Sequence, residues 1–122
     1  MMIESLSFAA PYCLMLVEDS SGGEEPTTMD ESAIVSTESC IAVGCQCDAD
    51  GETEFQLGAR AEVDPGTQPI FQGRIQTPSR KVVIRSILGD IILQTPVPGT
   101  ETMISIWTNH PTAPDQVIVG VE

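Results

Sequence analysis

The sequence predicts an all-β fold: an antiparallel β-sandwich of about eight to nine short strands, formed by residues 1–122 as one domain, with a long acidic loop near residues 18–33. Three observations lead there. From Ser39 onward apolar residues recur with a period of two, and helical periodicity is almost absent. Breaks rich in Gly, Pro and Asp return at roughly ten-residue intervals, the spacing of short strands in a sandwich or barrel. Hydrophobic residues make up 41% of the 122, enough for one two-layer core and too few for two. Sandwich is favoured over barrel because several segments are apolar on alternating positions only and the turns read as simple hairpins.

The elements follow in order. Ile3–Phe8 and Tyr12–Val17 are short apolar runs split by Ala9, Ala10 and Pro11, hence two strands or one bent strand. Glu18 to Ser32 is polar and punctuated by Gly and Pro, a long loop with room for one helical turn around Met29–Ala33. Ser39–Cys47 alternates, with Ile41, Val43, Cys45 and Cys47 on one face. Asp50–Gly51 is a pair suited to a tight turn, and Phe55–Val63 alternates after it, so the two runs are expected to form a hairpin. The remaining strands are expected at Ile70–Gln76, Lys81–Leu88, Ile91–Thr95, Glu101–Thr108 and Gln116–Val121, separated by Pro78–Ser79, Gly89–Asp90, Pro96–Gly99 and Asn109–Pro114. In Glu101–Thr108, Met103, Ser105 and Trp107 fall on one face and Ile104 and Ile106 on the other, with Trp107 expected in the core.

Charge is the unusual feature. Eighteen acids oppose five bases, a formal charge of −13. Such a surface repels polyanions and attracts basic proteins, so direct nucleic-acid binding is not expected. The acids are concentrated: thirteen lie between Glu18 and Asp64 with Arg60 as the one base, whereas four acids and four bases balance from Pro65 to Glu122. No apolar run approaches the ~20 residues of a membrane span. The N-terminus lacks a positive region, carries Glu4 and is broken by Pro11, unlike a signal peptide. A cytoplasmic protein follows, with Cys13, Cys40, Cys45 and Cys47 expected as reduced thiols.

Catalytic and metal chemistry find little support. The one histidine, His110, sits in a polar loop, and nothing singles out a carboxylate pair. Cys40, Cys45 and Cys47 lack knuckle spacing and a fourth ligand for zinc. Asp48 and Asp50 resemble the start of a calcium loop without its later ligands, and read as a turn. Neither a phosphate loop nor a nucleophile elbow occurs. The expectation is therefore a non-enzyme without a cofactor.

One resemblance adds to this. Arg80–Lys81–Val82–Val83, the strand through Ile87, and the run ILQTPVPGTETMISIWT make the chain similar to the competence protein J family, small inhibitors of a DNA-entry nuclease. The break Thr95–Pro96–Val97–Pro98–Gly99 and the strand ending Ile106–Trp107–Thr108 carry the likeness; an extra Val-Pro step and Ile in place of Cys before Trp107 depart from it. The first half matches in outline only, through Val17–Glu18–Asp19 and the long loop. The resemblance implies an inhibitor that occludes a nuclease's basic active site, and no family site residue transfers to this chain. The charge pattern nominates Glu24, Glu25, Asp30 and Glu31 in the long loop, and Asp48, Asp50, Glu52 and Glu54 around the turn, as the surface meeting a basic protein partner. Reversing the loop group to Lys is expected to leave melting nearly unchanged or to raise it slightly by relieving self-repulsion. The alternative is a structural β-sandwich subunit that self-associates as a homo-oligomer, its acidity serving solubility.

Overall fold

The computed structural model describes residues 4–26, 34–110 and 113–122. Asp30, Glu31 and the expected helical turn at Met29–Ala33 lie outside the described residues, Ile3 likewise. The strands are β1 (Glu4–Phe8), β2 (Leu14–Asp19), β3 (Ile34–Ser36), β4 (Cys40–Gly44), β5 (Thr53–Ala59), β6 (Phe71–Gln76), β7 (Lys81–Ser86), β8 (Ile91–Pro96), β9 (Glu101–Thr108) and β10 (Gln116–Val121), with one helical turn, α1 (Arg60–Val63). They build two five-stranded sheets, ordered β1-β5-β10-β9-β6 and β3-β4-β2-β7-β8. Pairing is antiparallel except between β5 and β10, which run parallel with Gln116 opposite Glu54 and Val121 opposite Ala59. The sandwich is thus mixed at this one pair.

Period-two patterning places the core. Phe55 and Leu57 of β5, Ile104 and Ile106 of β9, and Val117, Val119 and Val121 of β10 face Met15 and Val17 of β2, Ile41 and Val43 of β4, and Val82 and Ile84 of β7. Burial of such side chains is worth about 1.5–3 kcal/mol each, the main force holding the sheets together. A smaller cluster of Leu16, Cys40 and Ala42 lies on the opposite side of β2 and β4, packed with Leu14 and Ile87. Trp107 is buried too, but on the outer side of its sheet, where its indole N–H donates to the Thr67 carbonyl at 2.9 Å.

Three expectations are corrected. First, β4 and β5 do not form a hairpin. β4 pairs with β2 and β3, β5 with β1 and β10. The link between them crosses from one sheet to the other, and Asp48–Asp50 forms a turn of 3-10 helix within it. Second, the alternating run stops at Ala59 rather than Val63. The chain turns into α1, which lays Val63 over the outer face of β10 near Gly120.

Third, Cys13 and Cys47 are joined by a disulfide, while Cys40 and Cys45 are free and buried. β4 ends at Gly44, before Cys45, so the alternation expected to put Cys45 and Cys47 on one face is lost: Cys45 is buried and Cys47 is not. Cys13 closes the link from β1 to β2 and Cys47 lies in the link from β4 to β5. The bond therefore ties together two crossings between the sheets at one end of the sandwich. The other two crossings, at the opposite end, are tied by hydrogen bonds: Val97 N–H donates to Arg80 O at 3.0 Å, Thr77 N–H to Thr100 O at 2.8 Å, and the buried Thr77 hydroxyl to Gly99 O at 2.8 Å.

Burial pushes the Cys40 thiol up to about 12, with the Glu18 carboxylate adding to the shift; burial likewise lifts Cys45 to about 11. Both thiols stay protonated near neutrality and react slowly. Alkylation of the native protein without reductant should label none of the four cysteines. In denaturant it should label Cys40 and Cys45, and after reduction all four, read by intact mass. Four labels in denaturant without reductant would show that the bond is absent.

Candidate functional site

The fold sorts the acids by the end of the sandwich they occupy. At the disulfide end lie the links 9–13, 45–52, 87–90 and 109–115. Six exposed acids crowd there: Asp48, Asp50 and Glu52 in the crossing link, Glu54 on β5, Asp90 between β7 and β8, and Asp115 before β10. None of the chain's five Lys and Arg side chains pairs with these acids. Arg60 pairs with Glu122 and Arg74 with Glu101, each at 2.9 Å. Arg80 and Lys81 open β7 at the opposite end. Arg85 commits its guanidinium to Glu18 and Glu25 and to the Ser86 carbonyl at 3.2 Å. The disulfide end thus combines six carboxylates with which no Lys or Arg pairs, and its field attracts cations and basic surfaces.

The same end presents apolar side chains. Tyr12, 75% exposed, sits beside Cys13, and Leu88, 67% exposed, tips the turn between β7 and β8. Tyr12 and Cys13 both have φ of 59°, left-handed backbone that costs a non-Gly residue roughly 1–2 kcal/mol. Large apolar groups within a polar rim are the composition of a protein interface.

The loop acids are placed differently. β4 spans five residues, roughly 15 Å at strand spacing, and Glu24 and Glu25 lie at its far end. The Glu24 N–H donates to Ser39 Oγ at 2.7 Å, and Thr37 Oγ1 donates to Glu24 O at 2.6 Å. A Cβ at Gly23 would meet the Ser39 carbonyl oxygen at 2.3 Å, so only glycine allows the loop to pass this close. Glu25 pairs with Arg85, which also holds Glu18 at 3.0 Å; Glu18 is 2% exposed and accepts the Cys40 thiol at 3.5 Å. Burial opposes the charge on Arg85, but hydrogen bonds to Glu18 and Glu25 and their charges outweigh it and hold the guanidinium above its ordinary value. Asp19, also buried, behaves similarly. Desolvation raises its pKa, yet hydrogen bonds from Ser21 and Ser79 bring it below the ordinary value. Arg85 thus locks Glu25 to the fold, which conflicts with the expectation that the loop acids can be reversed without effect on melting.

Of the eight nominated residues, the fold gathers Asp48, Asp50, Glu52 and Glu54 at one end and sets Glu24 and Glu25 apart from them. It adds Asp90 and Asp115, which the balanced charge of the second half concealed, and Tyr12 and Leu88, whose exposure no linear pattern signals. His110 is exposed, and its Nδ1 accepts the Ala113 N–H at 3.0 Å. Among the described residues no group of three or more His, Cys, Asp or Glu is placed to hold a metal ion, and no helix is long and apolar enough to cross a membrane.

No protein-family model and no curated protein sequence matches the chain. Among solved structures it is similar to ComJ, inhibitor of the DNA degrading activity of NucA, from Bacillus subtilis. The match covers 99% of this chain and 98% of that one, with a TM-score of 0.71 and 13% sequence identity. At that identity the likeness is one of fold, and it extends over both sheets, well beyond the second-half residues that carry the resemblance in sequence.

Proposed function

We propose that this chain is an acidic protein-binding module that inhibits a nuclease by covering its basic active site, acting through the disulfide end of the sandwich. The observation that carries the reading is the segregation of six carboxylates, without Lys or Arg, on a fold shared end to end with a nuclease inhibitor. A DNA-degrading site must hold a polyanion, and so is lined by positive charge. A rigid surface bearing carboxylates competes for those contacts by complementarity and is steered to them. Inhibition by occlusion requires no bond-making by the inhibitor.

The test is a DNA-degradation assay and a stopped-flow association measurement with NucA-type nuclease as the probe. The triple variant Asp48→Lys, Asp50→Lys, Glu52→Lys should associate on the order of tenfold slower or worse at low salt, and the wild-type advantage should shrink as ionic strength rises. Unfolding should change little, since these positions are exposed turn surface. Unchanged inhibition by the triple variant would overturn the assignment of this end. A second reading, self-association as a structural subunit, draws on the edge strands β1 and β8, where Leu6 and Ile91 are exposed. Sedimentation equilibrium showing a salt-insensitive oligomer, without inhibition, would favour it.

A further inference from the structure

A groove opens on the outer face of the first sheet where that face meets the acidic end. Its floor is apolar: Ile70, 54% exposed, Ile118 of β10 and the edge of Trp107. Asn109 and Gln116 wall the side toward the acids. The hollow has a volume of about 200 Å³ and continues past Ile70 and Asn109 into a second of about 410 Å³. The first is below the ~300 Å³ at which small-molecule pockets usually begin, a scale suited to one side chain.

The wall amides fix the chemistry at its mouth. Gln116 Nε2 donates to Glu54 at 3.0 Å, and Asn109 Nδ2 donates to Asp115 at 2.5 Å. Each amide thereby holds a carboxylate beside the groove. Asn109 Oδ1 in turn accepts the Gln116 N–H at 3.2 Å, which locks the wall. A guest lying here meets the apolar side chains of the floor, and the two carboxylates held by the wall amides Asn109 and Gln116 flank the lining, with no Lys or Arg in it. Lysine and arginine side chains have that form: they bury a methylene stem and keep a charged head among acceptors. Arginine suits it better, because its planar fork bonds carboxylates in fixed geometry and loses less water.

We infer that this groove is the seat for an arginine or lysine side chain projecting from the basic partner. The inference rests on the reading of the acidic end as the partner surface and deepens it. The groove turns a diffuse attraction into a single docking register, because one side chain must enter before the carboxylates can close on its head.

Two peptides separate the parts: hexa-arginine, and hexa-citrulline as its neutral near-isostere. They are titrated at low salt into protein carrying labelled isoleucine methyls. Hexa-arginine should shift the methyls of Ile70 and Ile118 and perturb Trp107 fluorescence, whereas hexa-citrulline should not. Ile70→Ser should weaken hexa-arginine binding about fivefold and leave its salt dependence unchanged, as expected for lost stem contact. The pair Glu54→Gln, Asp115→Asn should weaken binding and flatten the salt dependence. Hexa-arginine shifts confined to residues 48–52, with Ile70 and Ile118 unmoved, would overturn the groove and leave the acidic surface standing. Equal shifts by both peptides would overturn the requirement for a charged head. No binding of hexa-arginine anywhere on the protein would overturn both the groove and the acidic-surface reading beneath it.

Discussion

Replacing Arg85 by methionine should destabilise the fold by about 3–5 kcal/mol, the usual cost of stripping one partner from a buried ion pair. Glu18 is 2% exposed and the Arg85 side chain 17%. Removing the guanidinium leaves a carboxylate sealed beneath the 20–26 segment with a weak thiol donor as company. The penalty is dominated by the orphaned charge rather than by the lost attraction. Converting both partners to apolar residues, Glu18→Leu with Arg85→Met, should therefore recover most of the loss. Glu25→Lys should also be costly, since it sets an ammonium against Arg85. The control is Arg74→Met. That residue pairs with Glu101 at the same kind of distance, but both side chains are more than half exposed, and exposed pairs contribute about 0–1 kcal/mol. Urea denaturation of the four variants checks the set. An Arg85→Met loss no larger than that of Arg74→Met would show that Glu18 reaches water.

Gly120→Val should cost about 3 kcal/mol or more. A Cβ at position 120 would stand 3.0 Å from the Arg60 Cα, 3.2 Å from Trp107 Cζ3 and 3.2 Å from Val63 Cγ2. Arg60 presents backbone and cannot swing aside. Trp107 is held by its bond to the Thr67 carbonyl. Over-packing of this kind typically costs ~1–3 kcal/mol even where neighbours yield, and branching at Cβ adds two more atoms to the clash. Alanine should fall near the lower bound. Because the strain falls on the indole, a red shift of tryptophan emission should accompany the stability loss. An unshifted spectrum with full stability would mean that α1 lifts off the sheet without cost.

How much was legible in the sequence depended on whether the deciding force was local. The bounds of β9 and β10 coincide with expectation, because Pro98–Gly99 precedes β9 and the 109–115 stretch with Pro111 and Pro114 separates the two apolar runs. The mistaken hairpin shows the limit. Asp50–Gly51 fits a tight turn, but whether flanking strands pair or part into different sheets is decided by their other neighbours. β2 and β3 already occupy both sides of β4, and β1 and β10 both sides of β5. β3, three residues long, has too few positions to display a period. The disulfide escaped notice because Cys13 and Cys47 are 34 residues apart and meet only where two crossings pass each other. For the candidate surface, the linear acid count joined groups that the fold separates. Glu18 and Glu25 hold Arg85 and Glu24 is fixed to Ser39 and Thr37, whereas the carboxylates of the opposite end gain Asp90 and Asp115 from a stretch that sums to zero.

The Cys13–Cys47 bond also closes β2, the acidic loop, β3 and β4 into a covalent ring. A peptide bond cut at the exposed Glu24 or Glu25 would therefore not release a fragment. Residues on either side of the nick would remain one molecule, the N-terminal piece held through Cys13 to the body of the protein through Cys47. A protease that cuts at either of these two acidic residues does so at a place where a single cut neither shortens the covalent assembly nor detaches β1 from it. Only a second event, reduction of the bond, lets the pieces part. Exposed charge and covalent integrity are in this way uncoupled within the ring: cleavage there, by itself, separates nothing.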